Sequence, residues 1–417
     1  MGTRPVRARG LELPWIGHER QRLPMLNVET SSEAHDAIRA LVRRFDPDAI
    51  DVPGGSARIR LEASGAAWDV LVRDGSAELE PAERRIGADC LLSAEPEAWV
   101  EIASDVRGGM QAFREGRLQV RRNLHLGVGF LAATSSMTDP ARLRFDSVRT
   151  KKARISILRA GAGEPMICVH GLGGTKASFL PTVAALADRH RVIALDLPGF
   201  GESDKPIAAA YDAPYFAGSV TGLMDALEID SAHIVGNSLG GRVAIEMGLL
   251  DRERVRSLVL LSPALAWLRN RPWKWLLQLP LPRLGLIQPT PRFVTEPIVR
   301  RLIPGANDGW VAAGVDEFLR CYLTPRGRTA FYEAARNIYM DEPSGDDGFW
   351  PRLGGLECDT MFVWGRQDTL VPLAFRKHVE RALPRVRHVV LDCGHVPQLE
   401  LPRETHAAIR DFVPASR

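Results

Sequence analysis

The chain has 417 residues, 45% hydrophobic and 25% charged, enough for two or three domains with sizeable cores. Its formal net charge of +3 gives no electrostatic footprint for nucleic acid. Its cysteines, at 90, 168, 321, 358 and 393, are scattered without C-x-x-C spacing, which points to reduced thiols in a cytoplasmic protein, not to a disulfide framework or a structural zinc. The sequence has no apolar leader and no stretch approaching the ~20 apolar residues of a membrane span.

Residues 1–32 are rich in Arg, Pro and Gly with no sustained period and read as an arm. From Glu33 the texture changes. Ala34, Ile38, Leu41, Val42 and Phe45 recur at helical spacing. Residues 58–62 alternate as a strand, and 68–72 and 77–80 form a hairpin about the Asp74-Gly75 turn. Cys90-Leu91-Leu92-Ser93 reads as a further strand, 96–103 and 110–114 as helices, 116–120 as a strand, and 121–133 as a closing apolar helix. This run, over residues 34–135, resembles the type-2 sterol carrier protein (SCP2-like) family. The pieces that match are the meander, Ala88-Asp89-Cys90-Leu91-Leu92-Ser93, the helix around Trp99, and Gly116-Arg117-Leu118-Gln119-Val120 leading into Gly127-Val128-Gly129-Phe130-Leu131. The resemblance implies a small α+β domain, set at 33–136, whose apolar tunnel takes a fatty acyl or steryl ligand. The same residues are also what a small filled core needs.

After a linker, 143–148 and 153–158 read as a strand pair. Short apolar runs then recur at 166–169, 192–195, 233–235, 258–261, 361–364 and 389–391, separated by helical patterns, as in a parallel sheet buried on both faces. A polar or glycine-rich cluster follows nearly every run, at the strand ends where ligands of such sheets bind. The clusters are His170-Gly171-Leu172-Gly173-Gly174, Asp196-Leu197-Pro198-Gly199-Phe200-Gly201-Glu202-Ser203, Gly236-Asn237-Ser238-Leu239-Gly240-Gly241, Trp364-Gly365-Arg366-Gln367-Asp368 and Asp392-Cys393-Gly394-His395. The G-x-S-x-G within the third, between a strand and a helix, is the context of a nucleophile elbow.

Residues 141–417 therefore resemble the α/β-hydrolase superfamily, which implies a mostly parallel sheet flanked by helices, with a helical cap inserted at about 265–348. The chain order Ser238, Asp368, His395 is that family's nucleophile–acid–base order. Ser238 is expected as nucleophile, His395 as its base, and Asp368 as the carboxylate that fixes the imidazole. The backbone N–H groups of Leu239 and Leu172 are expected to hold the oxyanion. Asp392 is close to His395 in sequence but matches no acid loop; His170 is expected to shape the oxyanion loop, and Cys393 to be structural. No cofactor and no metal are expected. In the cap, 308–322 and 327–339 read as helices, and the Trp, Leu and Pro run from Leu265 to Leu277 is available for packing, for an acyl pocket or for transient contact with a membrane surface.

The leading expectation is a serine hydrolase, a carboxylic ester hydrolase acting through an acyl-enzyme on a small hydrophobic, lipid-like substrate. The elbow also resembles that of C–C bond hydrolases of ring-fission (meta-cleavage) products, which use the same three roles. A non-catalytic lipid carrier is the reading from another class.

Overall fold

The computed structural model describes residues 28–414, except 84, 107–108, 267–290 and 303–307. Most of the expected arm therefore lies outside the described residues, as does nearly all of the Trp-rich run. Where the arm is described it is helical: α1 spans Val28–Arg43, starting inside the segment read as irregular.

Two sheets follow in chain order. The first holds β1 (Ser56–Ala63), β2 (Ala66–Arg73), β3 (Ser76–Pro81), β4 (Cys90–Ala94) and β5 (Leu118–Arg121), in the spatial order β3-β2-β1-β4-β5. Asp74 and Gly75 turn β2 into β3 with φ of 50° and 73°, the left-handed pair that matches the twist of a two-residue hairpin. Helices α2 (Pro96–Ser104) and α3 (Met110–Arg114) connect β4 to β5. The helix expected from Arg121 starts later: α4 is Leu124–Ala133. Arg121 belongs to β5, paired with Leu91, and Arg122 at φ 72° breaks the chain before Asn123 caps α4 through the Leu126 N–H at 3.0 Å. Every residue of α4 is buried, which a helix apolar on all sides requires.

The second sheet has eight strands: β6 (Arg144–Arg149), β7 (Arg154–Ala160), β8 (Glu164–Val169), β9 (His190–Leu195), β10 (Ala232–Asn237), β11 (Val255–Leu261), β12 (Asp359–Gly365) and β13 (Arg387–Leu391). Their order is β13-β12-β11-β10-β8-β9-β7-β6, parallel from β13 to β9, with β7 and β6 antiparallel at one edge. Its interleaved helices are α5 (Leu180–Leu186), α6 (Ala213–Ala226) and α7 (Leu239–Leu250). Between β11 and β12 lie α8 (Arg292–Leu302), α9 (Asp308–Tyr322), α10 (Pro325–Met340) and α11 (Phe349–Leu353), with α12 (Arg376–Ala382), α13 (Pro397–Glu400) and α14 (Pro402–Phe412) beyond. The parallel strands are apolar on both faces because helices cover both.

One apolar cluster runs through both parts of the molecule. Ile38, Trp99 and Phe113 of the first part, Phe130 of α4, and Phe145, Leu158 and Phe179 of the second belong to it. The first part's apolar side chains thus pack on one another and on α4. A pocket of about 540 Å³ in this part is lined by polar and apolar groups in similar measure, among them Glu62, Ser93, Ala98, Glu101 and Arg117.

Candidate active site

Ser238 stands between β10 and α7 at φ 53° and ψ −114°, a left-handed strained conformation for a residue with a side chain. The surrounding backbone imposes it. The Ser238 N–H donates to Leu261 O at 3.0 Å, and its carbonyl accepts from Arg242 and Ala264 N–H at 3.1 and 2.9 Å. The flanking glycines allow the turn to be this tight: a Cβ on Gly236 would lie 2.3 Å from Gly240 O, and one on Gly240 1.9 Å from Val169 O of β8.

Asp368 and His395 come together from the ends of β12 and β13. His395 Nδ1 is 2.8 Å from Asp368 Oδ2, while Asp368 Oδ1 accepts from the Leu370 and Val371 N–H groups at 2.8 and 2.9 Å. The Asp368 side chain is fully buried. Asp392 points elsewhere: its side chain is 72% exposed and accepts from Gln367 Nε2 at 3.2 Å. Cys393 is buried, and burial pushes its thiol up to about 12, so it stays protonated.

Two residues without an assigned role in the sequence hold this pair. Asn237 Nδ2 donates to Leu261 O at 3.0 Å and to His395 O at 3.1 Å, which joins the elbow to the histidine loop. Glu400 brackets the histidine: its carboxylate accepts from Gly394 N at 2.7 Å and Val396 N at 2.9 Å. The signal for Glu400 was an acid five residues after the histidine, on the first turn of a short helix.

His170 shapes the loop after β8. Its Nε2 accepts from the Leu197 N–H at 3.0 Å, so the ring is the neutral Nδ1–H tautomer and donates to Gly171 O at 2.7 Å. Burial favours that neutral form by lowering the His170 pKa. Gly171 O also accepts from Gly174 N at 3.0 Å. The peptide that carries the Leu172 N–H is thus clamped through its carbonyl. Leu239 heads α7, where the first N–H groups have no intrahelical partner. Behind the loop, Lys176 Nζ meets Asp196 Oδ2 at 2.6 Å. Burial opposes the Asp196 carboxylate, but the Lys176 ammonium outweighs it and holds it at about 2.

Ser238 and His395 open into one cavity of about 650 Å³. Leu172 and Leu265 line it from the sheet side, and Phe318, Tyr322, Phe331 and Ile338 from the cap helices. Phe318 stacks on Tyr322 at 5.1 Å and meets Phe331 edge-on at 5.7 Å, so the cap side of the wall is an aromatic cluster. Ile298 and Leu370, 54% and 44% exposed, line the cavity and reach solvent. Among the described residues no three His, Cys, Asp or Glu side chains are grouped to hold a metal ion. Among them, too, no helix is long and apolar enough to cross a membrane.

Residues 164–287 match the family model for the alpha/beta hydrolase fold, and residues 40–131 match that of the SCP-2 sterol transfer family. The 2-hydroxy-6-oxo-6-phenylhexa-2,4-dienoate hydrolase of Burkholderia cepacia is 32% identical over 272 residues, which is 62% of this chain and 91% of that enzyme. This chain belongs to the α/β-hydrolase family. The hydrolase is also 29% identical over 262 residues to the pimeloyl-[acyl-carrier protein] methyl ester esterase of Aeromonas hydrophila, covering 62% of this chain and 99% of the esterase. Among solved structures, one described as a bacterial membrane phospholipase A and virulence factor superposes with a TM-score of 0.55 at 26% identity, over 65% of the hydrolase chain and 85% of its own. An SCP2 domain therefore precedes a hydrolase whose relatives include a methyl ester esterase and a 2-hydroxy-6-oxo-6-phenylhexa-2,4-dienoate hydrolase.

Proposed function

We propose that this hydrolase cleaves a carboxylic ester of a hydrophobic, lipid-like substrate through an acyl-enzyme on Ser238. The observation that carries the reading is the His395–Asp368 contact of 2.8 Å at the edge of a large, mainly apolar cavity that also holds Ser238. Ser238 Oγ attacks the ester carbonyl while His395 Nε2 takes its proton. Asp368 keeps the imidazole oriented through Nδ1 and stabilises the imidazolium. The N–H groups of Leu239 and Leu172 receive the charge on the carbonyl oxygen. The C–O bond then breaks, His395 protonates the departing alcohol, and a water activated by the same histidine releases the acid. The chemistry needs no cofactor.

The cavity composition supports a hydrophobic acyl or alkyl group, and the exposed Ile298 and Leu370 at its mouth, with Phe293 78% exposed on the same helix as Ile298, suit transient contact with a lipid surface. The SCP2 domain adds a fatty acyl or steryl ligand to the same reading, and the free cysteines fit a reducing cytoplasm. The domain limits in this reading are 33–136 and 141–417, with the cap within 265–348. A second reading is favoured by the Burkholderia cepacia relative: the same triad opens a C–C bond next to a ketone of a ring-fission product. Turnover of p-nitrophenyl esters from acetate to palmitate, set beside a vinylogous 1,5-diketone, separates the two. Ser238→Ala should abolish either activity in a folded chain. Unchanged turnover in that variant would refute both readings and leave a lipid carrier.

A further inference from the structure

Among the described residues, one of the SCP2 domain lines the cavity that holds Ser238: Leu124, the first residue of α4, only 5% exposed. Its place is fixed from both sides. Behind it, α4 packs against β4 and β5 of its own domain and against β6 of the hydrolase. In front, cap helix α9 offers two consecutive carboxylates. Asp316 accepts from Arg121 Nε at 2.6 Å, from Arg121 Nη2 at 3.1 Å and from the Arg122 N–H at 3.0 Å. Glu317 accepts from the Leu124 N–H at 3.2 Å, where its charge also meets the positive end of α4.

Glu317 lines the same cavity, and its charge is matched by Arg320 at 2.7 and 3.2 Å. Arg320 in turn reaches Glu202 at 2.5 Å, in the loop after β9, so α9 is tied to both domains at once. One turn before Glu317 on the same face of α9 stands Gly314, also on the cavity wall, where an added Cβ would meet nothing within 4 Å. Among the described residues, the apolar side chain that the SCP2 domain contributes to this wall is Leu124.

We propose that Leu124 is a specificity-determining residue of the hydrolase, lent by the SCP2 domain. Its side chain closes the substrate cavity and limits the length of the acyl chain that fits, and the Asp316 and Glu317 contacts hold it in place. The SCP2 domain is in this sense part of the active site. The proposal rests on Ser238 being the nucleophile, and the test separates the two ideas.

The full chain and its Leu124→Ala, Leu124→Val and Leu124→Phe variants are treated with alkyl fluorophosphonates graded from ethyl to dodecyl. Ser238 Oγ bonds to phosphorus, fluoride leaves, and His395 carries the hydroxyl proton to water, so the labelling rate reads the cavity whatever the natural substrate is. The measured quantity is the ratio of long-chain to short-chain rates. Leu124→Ala is expected to raise it roughly tenfold or more and Leu124→Phe to lower it by a similar factor, the value of one or two methylenes in an apolar pocket. Leu124→Val should move it in the same direction as Leu124→Ala by less. General loosening of the fold cannot produce opposite shifts from a smaller and a larger side chain. Equal ratios in all variants, with Ser238 still labelled, would overturn the role of Leu124 and leave the nucleophile intact. No labelling of Ser238 in the unmodified chain would take down the nucleophile reading, and this proposal with it.

Discussion

The two parts of the molecule use similar materials for opposite ends. In the SCP2 domain, the buried charge Asp69 sits on the sheet, pinned by Arg60 Nε at 2.7 Å and Arg58 Nη1 at 2.9 Å, and the apolar residues pack on one another. In the hydrolase, the polar residues gather at the carboxyl ends of the strands around a cavity of about 650 Å³, beside a serine held at φ 53°. A cavity and a strained turn each cost stability. The hydrolase bears both at the site of the proposed chemistry, while the SCP2 domain extends one helix end, at Leu124, into the other part's cavity.

If that contrast holds, substitutions at the buried carboxylates of the two parts should have mirrored effects. The largest is expected at Asp368. Asp368→Asn keeps the shape but no longer fixes the His395 tautomer, so kcat should fall by roughly 10⁴-fold with Tm nearly unchanged. Steady-state kinetics and a thermal melt on one preparation check both halves of the statement. Its counterpart is Asp69→Asn. Burial raises the Asp69 pKa, but the hydrogen bonds from Arg60 and Arg58 prevail and hold it below the ordinary carboxylate value. With the carboxylate gone, Arg60 loses its bidentate partner while Arg58 keeps Glu80 at 2.7 Å, and stability should drop by about 2 kcal/mol. Activity per folded molecule should not move. A fall in kcat at permissive temperature would show that the SCP2 domain is coupled to the chemistry itself.

The comparison can also be sharpened by pH. Burial lowers the His406 pKa from 6.5 to about 4, and its Nε2 lies 2.9 Å from Thr182 Oγ1, joining α14 to α5. A histidine whose folded pKa lies below its unfolded one binds more protons when unfolded, so folding loses stability as pH falls from 6.5 towards 4. At pH 5 this one site should cost about 2 kcal/mol. His406→Gln removes the titration. The gap in Tm between the two proteins should narrow or reverse between neutral pH and pH 5, and a parallel pair of Tm curves would remove His406 from the account.

These contrasts explain what was legible in the sequence. The hydrolase motifs could be read because each is a short run fixed by local geometry: a tight turn needs Gly236 and Gly240, and each cluster ends a buried strand. The SCP2 strands were legible by alternation and the Asp74-Gly75 turn. The start of α4 was not, because periodicity alone could not show that Arg121 pairs with Leu91 in β5 and that Arg122 breaks the chain. The start of α1 was missed because its first turn, Val28-Glu29-Thr30, carries no apolar period. The contact of Arg121 with Asp316 spans 195 residues and leaves no local trace. Glu400 was visible as a letter in the histidine loop, but its role depends on the turn that α13 makes.

That role supplies the smallest effect, and the sharpest one on the hydrolase side. The Glu400 carboxylate accepts from the N–H groups on both sides of His395, at 2.7 and 2.9 Å, and so sets the loop that presents the imidazole without touching the cavity. Glu400→Gln keeps one carbonyl acceptor and turns the other end into a donor facing an N–H, so one bracket must open. His395 then holds its productive position less of the time, and kcat should fall roughly tenfold, a larger change than any in KM although Val396, whose N–H Glu400 holds, lines the cavity. Glu400→Asp, too short to reach both N–H groups, should lose a similar amount. A rise in KM at constant kcat would place Glu400 with the substrate wall instead, and would make the histidine loop, not the cap and Leu124, the part of the hydrolase that measures its substrate.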